Sequence, residues 1–163
     1  MPDLRILVVY YSRSGTTRII AESLSKAFKC DVEEIVEVED RVGFFGYVRS
    51  LVEAMRKRPS AIARGKGDPS SYDLIIIGKP VWAWSVSSPV RAYLMANKEC
   101  LPQVAFFCTL GGRGSESAFT QMQYLVGKDP RARCSFATGE VIAGSYGLRL
   151  AAFVKALEPS VSA

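Results

Sequence analysis

Three short segments of this chain are almost unbroken in apolar residues: 4–11 (LRILVVYY), 74–78 (LIIIG) and 104–110 (VAFFCTL). A strand with one wet face alternates apolar and polar side chains, so continuous runs of this length require cover on both faces. Between them the apolar spacing changes to that of helices. Ile20, Leu24, Ala27 and Phe28 share one helical face, and Phe44, Phe45, Val48, Leu51, Val52 and Met55 share another. Residues 89–97, 116–126 and 148–157 carry further helical patterns. Residues 32–38 mix acidic and apolar positions, as a half-exposed edge strand would, and 133–141 reads as a fifth strand. Strand and helix thus alternate along the chain, which predicts a parallel sheet with right-handed crossovers and helices on both faces. The 163 residues suffice for one core and fall short of two, so a single domain spanning 1–163 is expected. In such sheets ligands bind beyond the carboxyl ends of the strands, where the strand order reverses.

Each apolar strand leads into an unusual loop at that end. The first, Ser12-Arg13-Ser14-Gly15-Thr16-Thr17, supplies four hydroxyl groups and a glycine before a helix, and free amides at a helix start favour phosphate. An ordinary N-capped turn is the competing reading, although a cap needs a single hydroxyl. The sequence is neither a Walker loop nor the glycine-rich dinucleotide fingerprint. The second loop, Lys79-Pro80-Val81-Trp82-Ala83-Trp84-Ser85, holds both tryptophans of the chain. Alone they could be packing; beside a phosphate loop their indole faces suit a flat aromatic ligand. The third, Thr109-Leu110-Gly111-Gly112-Arg113-Gly114, has a backbone that can press against a ring edge, or is merely a mobile turn.

Composition removes several alternatives. There is no histidine, which eliminates His-based acid–base relays, Ser–His triads and His–metal sites. Cys30, Cys100, Cys108 and Cys134 show no paired metal-type spacing and read as buried reduced thiols. Redox chemistry would therefore be a cofactor's. No apolar run approaches the roughly 18–20 residues of a membrane span, and the first segment lacks the flanks of a signal peptide, so a cytoplasmic location is expected. The net charge of +5 is uneven: residues 30–40 hold six acids and no base, whereas 41–68 hold seven bases and two acids. No nucleic-acid motif accompanies the basic stretch, so nucleic-acid binding is not expected. Residues 57–71 (KRPSAIARGKGDPSS) read as a surface loop.

With the S-x-S-G-x-T loop, the IIGKPVW segment and the CTLGG segment in this order, the sequence resembles the flavodoxin-like family of FMN proteins over essentially its whole length. The resemblance implies a flavodoxin-like three-layer α/β/α sandwich around a five-stranded parallel sheet of order 2-1-3-4-5, with FMN at the switch point. The short connection between the fourth and fifth strands implies the short-chain form. By the same resemblance Ser12, Ser14, Gly15, Thr16 and Thr17 would hold the FMN phosphate, with Arg13 adding charge. Trp82 and Trp84 would flank the isoalloxazine, and Thr109, Gly111 and Gly112 would bound its pyrimidine edge, with Pro80, Val81, Ala83 and Leu110 as further cofactor-binding positions. Two positions depart from the family. Thr16 stands where many flavodoxins have Asn, which keeps a capping side chain. Ala83 stands where many have a glycine whose peptide flips toward flavin N5; a positive φ there would cost alanine about 1–2 kcal/mol, so strong semiquinone stabilisation is not carried over. The sequence pI of about 9.1 also contrasts with the acidic surface typical of carrier flavodoxins.

The resemblance implies an electron carrier between a reductase and an acceptor, as a monomer or homodimer. The alternative is an NAD(P)H-dependent FMN quinone or flavin reductase, whose corresponding loop is also aromatic-rich and whose nucleotide a basic patch could attract. A low-molecular-weight phosphatase needs a nucleophilic cysteine and an arginine around a phosphate loop. Cys108 and Arg113 are spaced one residue too closely for it.

Overall fold

The computed structural model describes residues 4–12, 14–35, 68–81 and 88–158. Five parallel strands, β1 (Ile6–Tyr10), β2 (Asp31–Glu34), β3 (Leu74–Val81), β4 (Gln103–Leu110) and β5 (Arg133–Ala137), form one sheet in the order β2-β1-β3-β4-β5. Among the described residues five α-helices accompany them: α1 (Thr16–Phe28), α2 (Ser88–Asn97), α3 (Ser115–Val126), α4 (Thr138–Ala143) and α5 (Gly147–Leu157). The result is the three-layer sandwich and the 2-1-3-4-5 order that the sequence led us to expect.

The apolar runs are buried for the reason anticipated. Leu7, Val9, Ile75, Ile77 and Phe106 point to one face, where they meet Val90 and Leu94 of α2 and Phe119, Met122 and Val126 of α3. Val8, Tyr10, Ile76 and Phe107 point to the other, against Ile20, Ala21 and Leu24 of α1, Val141 of α4, and Phe153 and Leu157 of α5. Each such large side chain contributes about 1.5–3 kcal/mol on leaving water. The edge strand β2 is exposed at Asp31 and Val32, matching its mixed sequence.

Three expectations need correction. The fifth strand stops at Ala137, not 141, because β4 ends at Leu110, its partner in register. Beyond that pair no neighbouring strand remains, and residues 138–143 form α4. Lys79, Pro80 and Val81 are not loop but the end of β3, in register with Cys108, Thr109 and Leu110. Proline is tolerated there because β1 stops pairing with β3 at Gly78, which leaves β3 only one neighbour. Finally, Cys108 is buried as expected, but Cys30 and Cys134 are half-buried and Cys100 is exposed. The helix at 44–56, most of the loop at 57–71, the continuation of the edge strand past residue 35, and the basic stretch apart from Asp68 lie outside the described residues. Within that loop, Pro69–Ser71 form a 3-10 turn with Pro69 buried. No helix among the described residues is long and apolar enough to cross a membrane.

Candidate functional site

At the carboxyl end of β1 the chain passes through the hydroxyl-rich turn into α1. Gly15 is the N-cap residue, with φ 95°, a left-handed conformation that explains glycine here. Its own position supplies no side-chain cap. Instead the Ser12 Oγ accepts from the amides of Gly15 (3.0 Å) and Arg18 (3.3 Å). One hydroxyl therefore does the capping, and three are left for other work. Thr17 Oγ1 lies 2.7 Å from Thr109 Oγ1, both buried, which ties α1 to the end of β4. Ser14 Oγ, on an exposed residue, lies 3.3 Å from Thr16 Oγ1. The amides of residues 16 and 17 have no acceptor within a helix. α1 also has no acidic residue in its first turn, so the positive end of its dipole is uncompensated. An anion such as a phosphate suits this arrangement.

Arg18, which the sequence reading did not select, is turned away from the loop. Its guanidinium donates to Glu34 Oε2 (2.7 Å) and to the Tyr10 hydroxyl (3.3 Å), and the Tyr10 hydroxyl donates to Glu34 (3.1 Å). Burial is the main cause that raises the Tyr10 pKa, which keeps that phenol protonated. The network fixes α1 to β1 and β2. Only the fold brings Glu34 to Arg18, so no local pattern announced it.

The ends of β3 and β4 form the neighbouring wall. A Cβ on Gly78 would lie 1.9 Å from the ring of Phe107, so glycine is what lets that ring cross the strand. Lys79 follows and is 2% exposed. Desolvation lowers the pKa of its amine below the ordinary 10.5, opposed in part by Cys108. The loop after β4 folds back over the end of β3: the Cβ position of Gly114 lies 3.2 Å from Val81 Cγ1. Gly111 and Gly112 are exposed and border open space. Cys108 is fully buried in β4, and desolvation pushes its thiol up to about 12. A phosphatase nucleophile needs a thiolate, so the phosphatase reading fails on chemistry as well as spacing.

Of the residues selected from the sequence, Ser12, Ser14, Gly15, Thr16 and Thr17 lie together at the start of α1. Pro80, Val81, Thr109, Leu110, Gly111 and Gly112 lie at the adjoining ends of β3 and β4. Thr109 turns its hydroxyl to Thr17 rather than to the outer edge of the third loop. Arg13, Trp82, Ala83 and Trp84 lie outside the described residues. No group of acidic, cysteine or histidine side chains able to hold a metal occurs among the described residues.

The family model for flavodoxin matches residues 5–147, which include all three loops. The chain belongs to the flavodoxin family. Among solved structures it is similar to a flavoprotein in complex with FMN from Lactobacillus acidophilus NCFM, at 24% identity and TM-score 0.63, covering 86% of this chain and 97% of that one. The NMR structure of the apo-form of the flavoprotein from the same organism matches at 20% identity and TM-score 0.59, over 84% and 93% of the two chains. Two-electron reduced Megasphaera elsdenii flavodoxin matches at 16% identity and TM-score 0.54, over 93% and 98%. At these identities the structural likeness speaks for the fold. Among curated proteins, none matches the chain.

Proposed function

We propose that this flavodoxin-family chain binds FMN without covalent attachment at the carboxyl end of its sheet and passes electrons between a reductase and an acceptor in the cytoplasm. The observation that carries the reading is the start of α1. There an uncompensated helix terminus with spare hydroxyls is held against β4 by the buried Thr17–Thr109 pair. The FMN of the Lactobacillus acidophilus flavoprotein supports the same cofactor. When bound, FMN supplies the chemistry of accepting and releasing electrons.

The chain's residues bind and orient it. Ser14, Thr16 and the amides of the first helical turn receive the phosphate, with Arg13 adding charge. Ser12 holds the turn in shape, and Thr109 positions Thr17. Val81, Trp82, Ala83 and Trp84 line one side of the ring, with Pro80 beside them at the end of β3. Leu110, Gly111 and Gly112 line the other side.

A second reading, an NAD(P)H-dependent FMN quinone or flavin reductase, is favoured by the basic balance of the chain and by exposed Arg113 in the loop after β4. Mixing the FMN-loaded protein with NADPH under anaerobic conditions separates the two. A carrier keeps its flavin absorbance until a reductase is added. Rapid bleaching by NADPH alone, followed by reoxidation with a quinone, would establish the reductase and remove the carrier.

A further inference from the structure

The hydroxyl oxygens of Thr17 and Thr109 lie 2.7 Å apart, and each residue is 1% exposed, so the bond between them is closed off from water. A buried hydroxyl that loses its partner is costly, so the pair holds its geometry firmly. Thr17 is the second residue of α1, and its backbone amide is one of those left without an acceptor in the helix. Thr109 is the penultimate residue of β4, in register with Pro80 of β3 and Phe136 of β5. By strand alternation it shares the face of Ala105 and Phe107, the face that α1 covers. The bond therefore reaches from the first turn of α1, across β3, to the far side of the site.

Other bonds of that turn do less to place it. Ser12 Oγ accepts from the amides of Gly15 and Arg18. Both bonds are local, so they shape the turn without fixing where its amides lie over the sheet. Arg18 does reach β2, holding Glu34 at 2.7 Å, but the two side chains are 49% and 33% exposed. An ion pair so open to water contributes little. The buried hydroxyl pair is thus the firm long-range tie of the turn.

We propose that Thr109 is a specificity-determining residue of the site: through Thr17 it holds the first-turn amides of α1 where they receive a phosphate, and so makes the protein select FMN over riboflavin. The inference rests on the flavin reading and moves Thr109 from the ring edge, where the resemblance put it, to the phosphate end. It is a positioning residue, because its hydroxyl is spent on Thr17. The exposed Gly111 and Gly112 follow it as a separate stretch of backbone. Thr109→Val keeps the shape of the side chain and the backbone ladder with β3, so that stretch stays in place. The Thr17 hydroxyl, having lost its partner, turns to the backbone of its own turn, and the amides shift.

The test uses three ligands: riboflavin has the ring without the phosphate, inorganic phosphate the charge without the ring, and FMN both. Dissociation constants are measured for the natural chain, Thr109→Val and Thr109→Ser, the flavins by fluorescence quenching and inorganic phosphate by its competition with FMN. Thr109→Val should weaken FMN and inorganic phosphate by about five- to tenfold, as one lost hydrogen bond would, and leave riboflavin within about twofold. Thr109→Ser restores the hydroxyl and should bring both back close to the natural chain.

Equal losses for FMN and riboflavin would show a merely structural role and overturn the inference. An FMN affinity unchanged in Thr109→Val, or a serine variant as weak as the valine one, would overturn it too. If Thr109→Val does not fold, Thr109→Ala against Thr109→Ser makes the same comparison, since the two differ by the hydroxyl alone. A natural chain that binds no FMN, or binds FMN and riboflavin equally, would sink the phosphate reading and this inference together. A preference for FMN that is the same in the natural chain and Thr109→Val would sink the Thr109 role alone.

Discussion

The two ends of the sheet are built from different interactions. At the amino end, side chains close onto backbone. The Arg5 amide donates to Asp73 (2.8 Å), Lys128 Nζ donates to the carbonyls of Leu101 (2.7 Å) and Pro102 (3.1 Å), and the Arg131 guanidinium reaches Gln103 Oε1 and the Glu158 carbonyl, both at 3.1 Å. These bonds meet donors and acceptors that would otherwise be left to water. At the carboxyl end the long-range side-chain bonds are the Arg18–Glu34–Tyr10 network and the hydroxyl pair of Thr17 and Thr109, while α1 keeps unmatched amides in its first turn. The difference teaches where to look for function: one end has satisfied its polar groups internally, and the other holds polar groups ready for something else.

Substitutions should separate the ends. The largest effect is expected where both depend on the same strand. Gly78→Ala would drive a methyl into the Phe107 ring, and such overpacking costs about 3 kcal/mol or more. Chemical denaturation should show that loss, with Gly111→Ala, whose added methyl meets nothing within 4 Å, close to the natural chain.

At the carboxyl end, Thr17→Val leaves the Thr109 hydroxyl buried without a partner and should cost about 1–3 kcal/mol. The double change Thr17→Val with Thr109→Val should recover most of that stability. It should not recover FMN affinity, so the two readouts part.

Lys79→Met should stabilise the apo-protein by about 1–3 kcal/mol, since a buried amine that desolvation makes costly to charge is removed. The sign of its pH dependence follows from the depressed pKa. Between that value and the ordinary 10.5 the unfolded chain holds more protons, so the natural chain gains stability as pH rises. The advantage of Lys79→Met is therefore full at pH values below the depressed pKa and shrinks as pH approaches 10.5. Thermal melts across that range check it. A smaller loss, about 1 kcal/mol, is expected for Lys128→Ala at the amino end, with FMN affinity unchanged. A change in affinity there would erase the contrast between the ends.

Much of the fold was legible because burial on both faces leaves a continuous apolar record, as in β1, β3 and β4. The record fails where an element is set by its neighbours. β5 ends with its last β4 partner, Leu110, so its sequence alone ran on into α4. Lys79 and Pro80 looked like loop because a charge and a proline rarely sit in a strand, yet the ladder with β4 holds them there. In the candidate site the hydroxyl run and the glycines were readable as types. Which hydroxyl caps, which one locks to β4 and which remain spare was not, because Thr17 and Thr109 stand 92 residues apart. Arg18 was missed for the same reason, its partner Glu34 being on another strand.

The central claim is that the start of α1 receives a phosphate, and titration of the apo-protein with FMN and separately with riboflavin, followed by quenching of flavin fluorescence, tests it most directly. Tight binding of FMN and a dissociation constant raised at least tenfold for riboflavin are the predicted result. Equal affinity for the two, or no quenching by either, would contradict it.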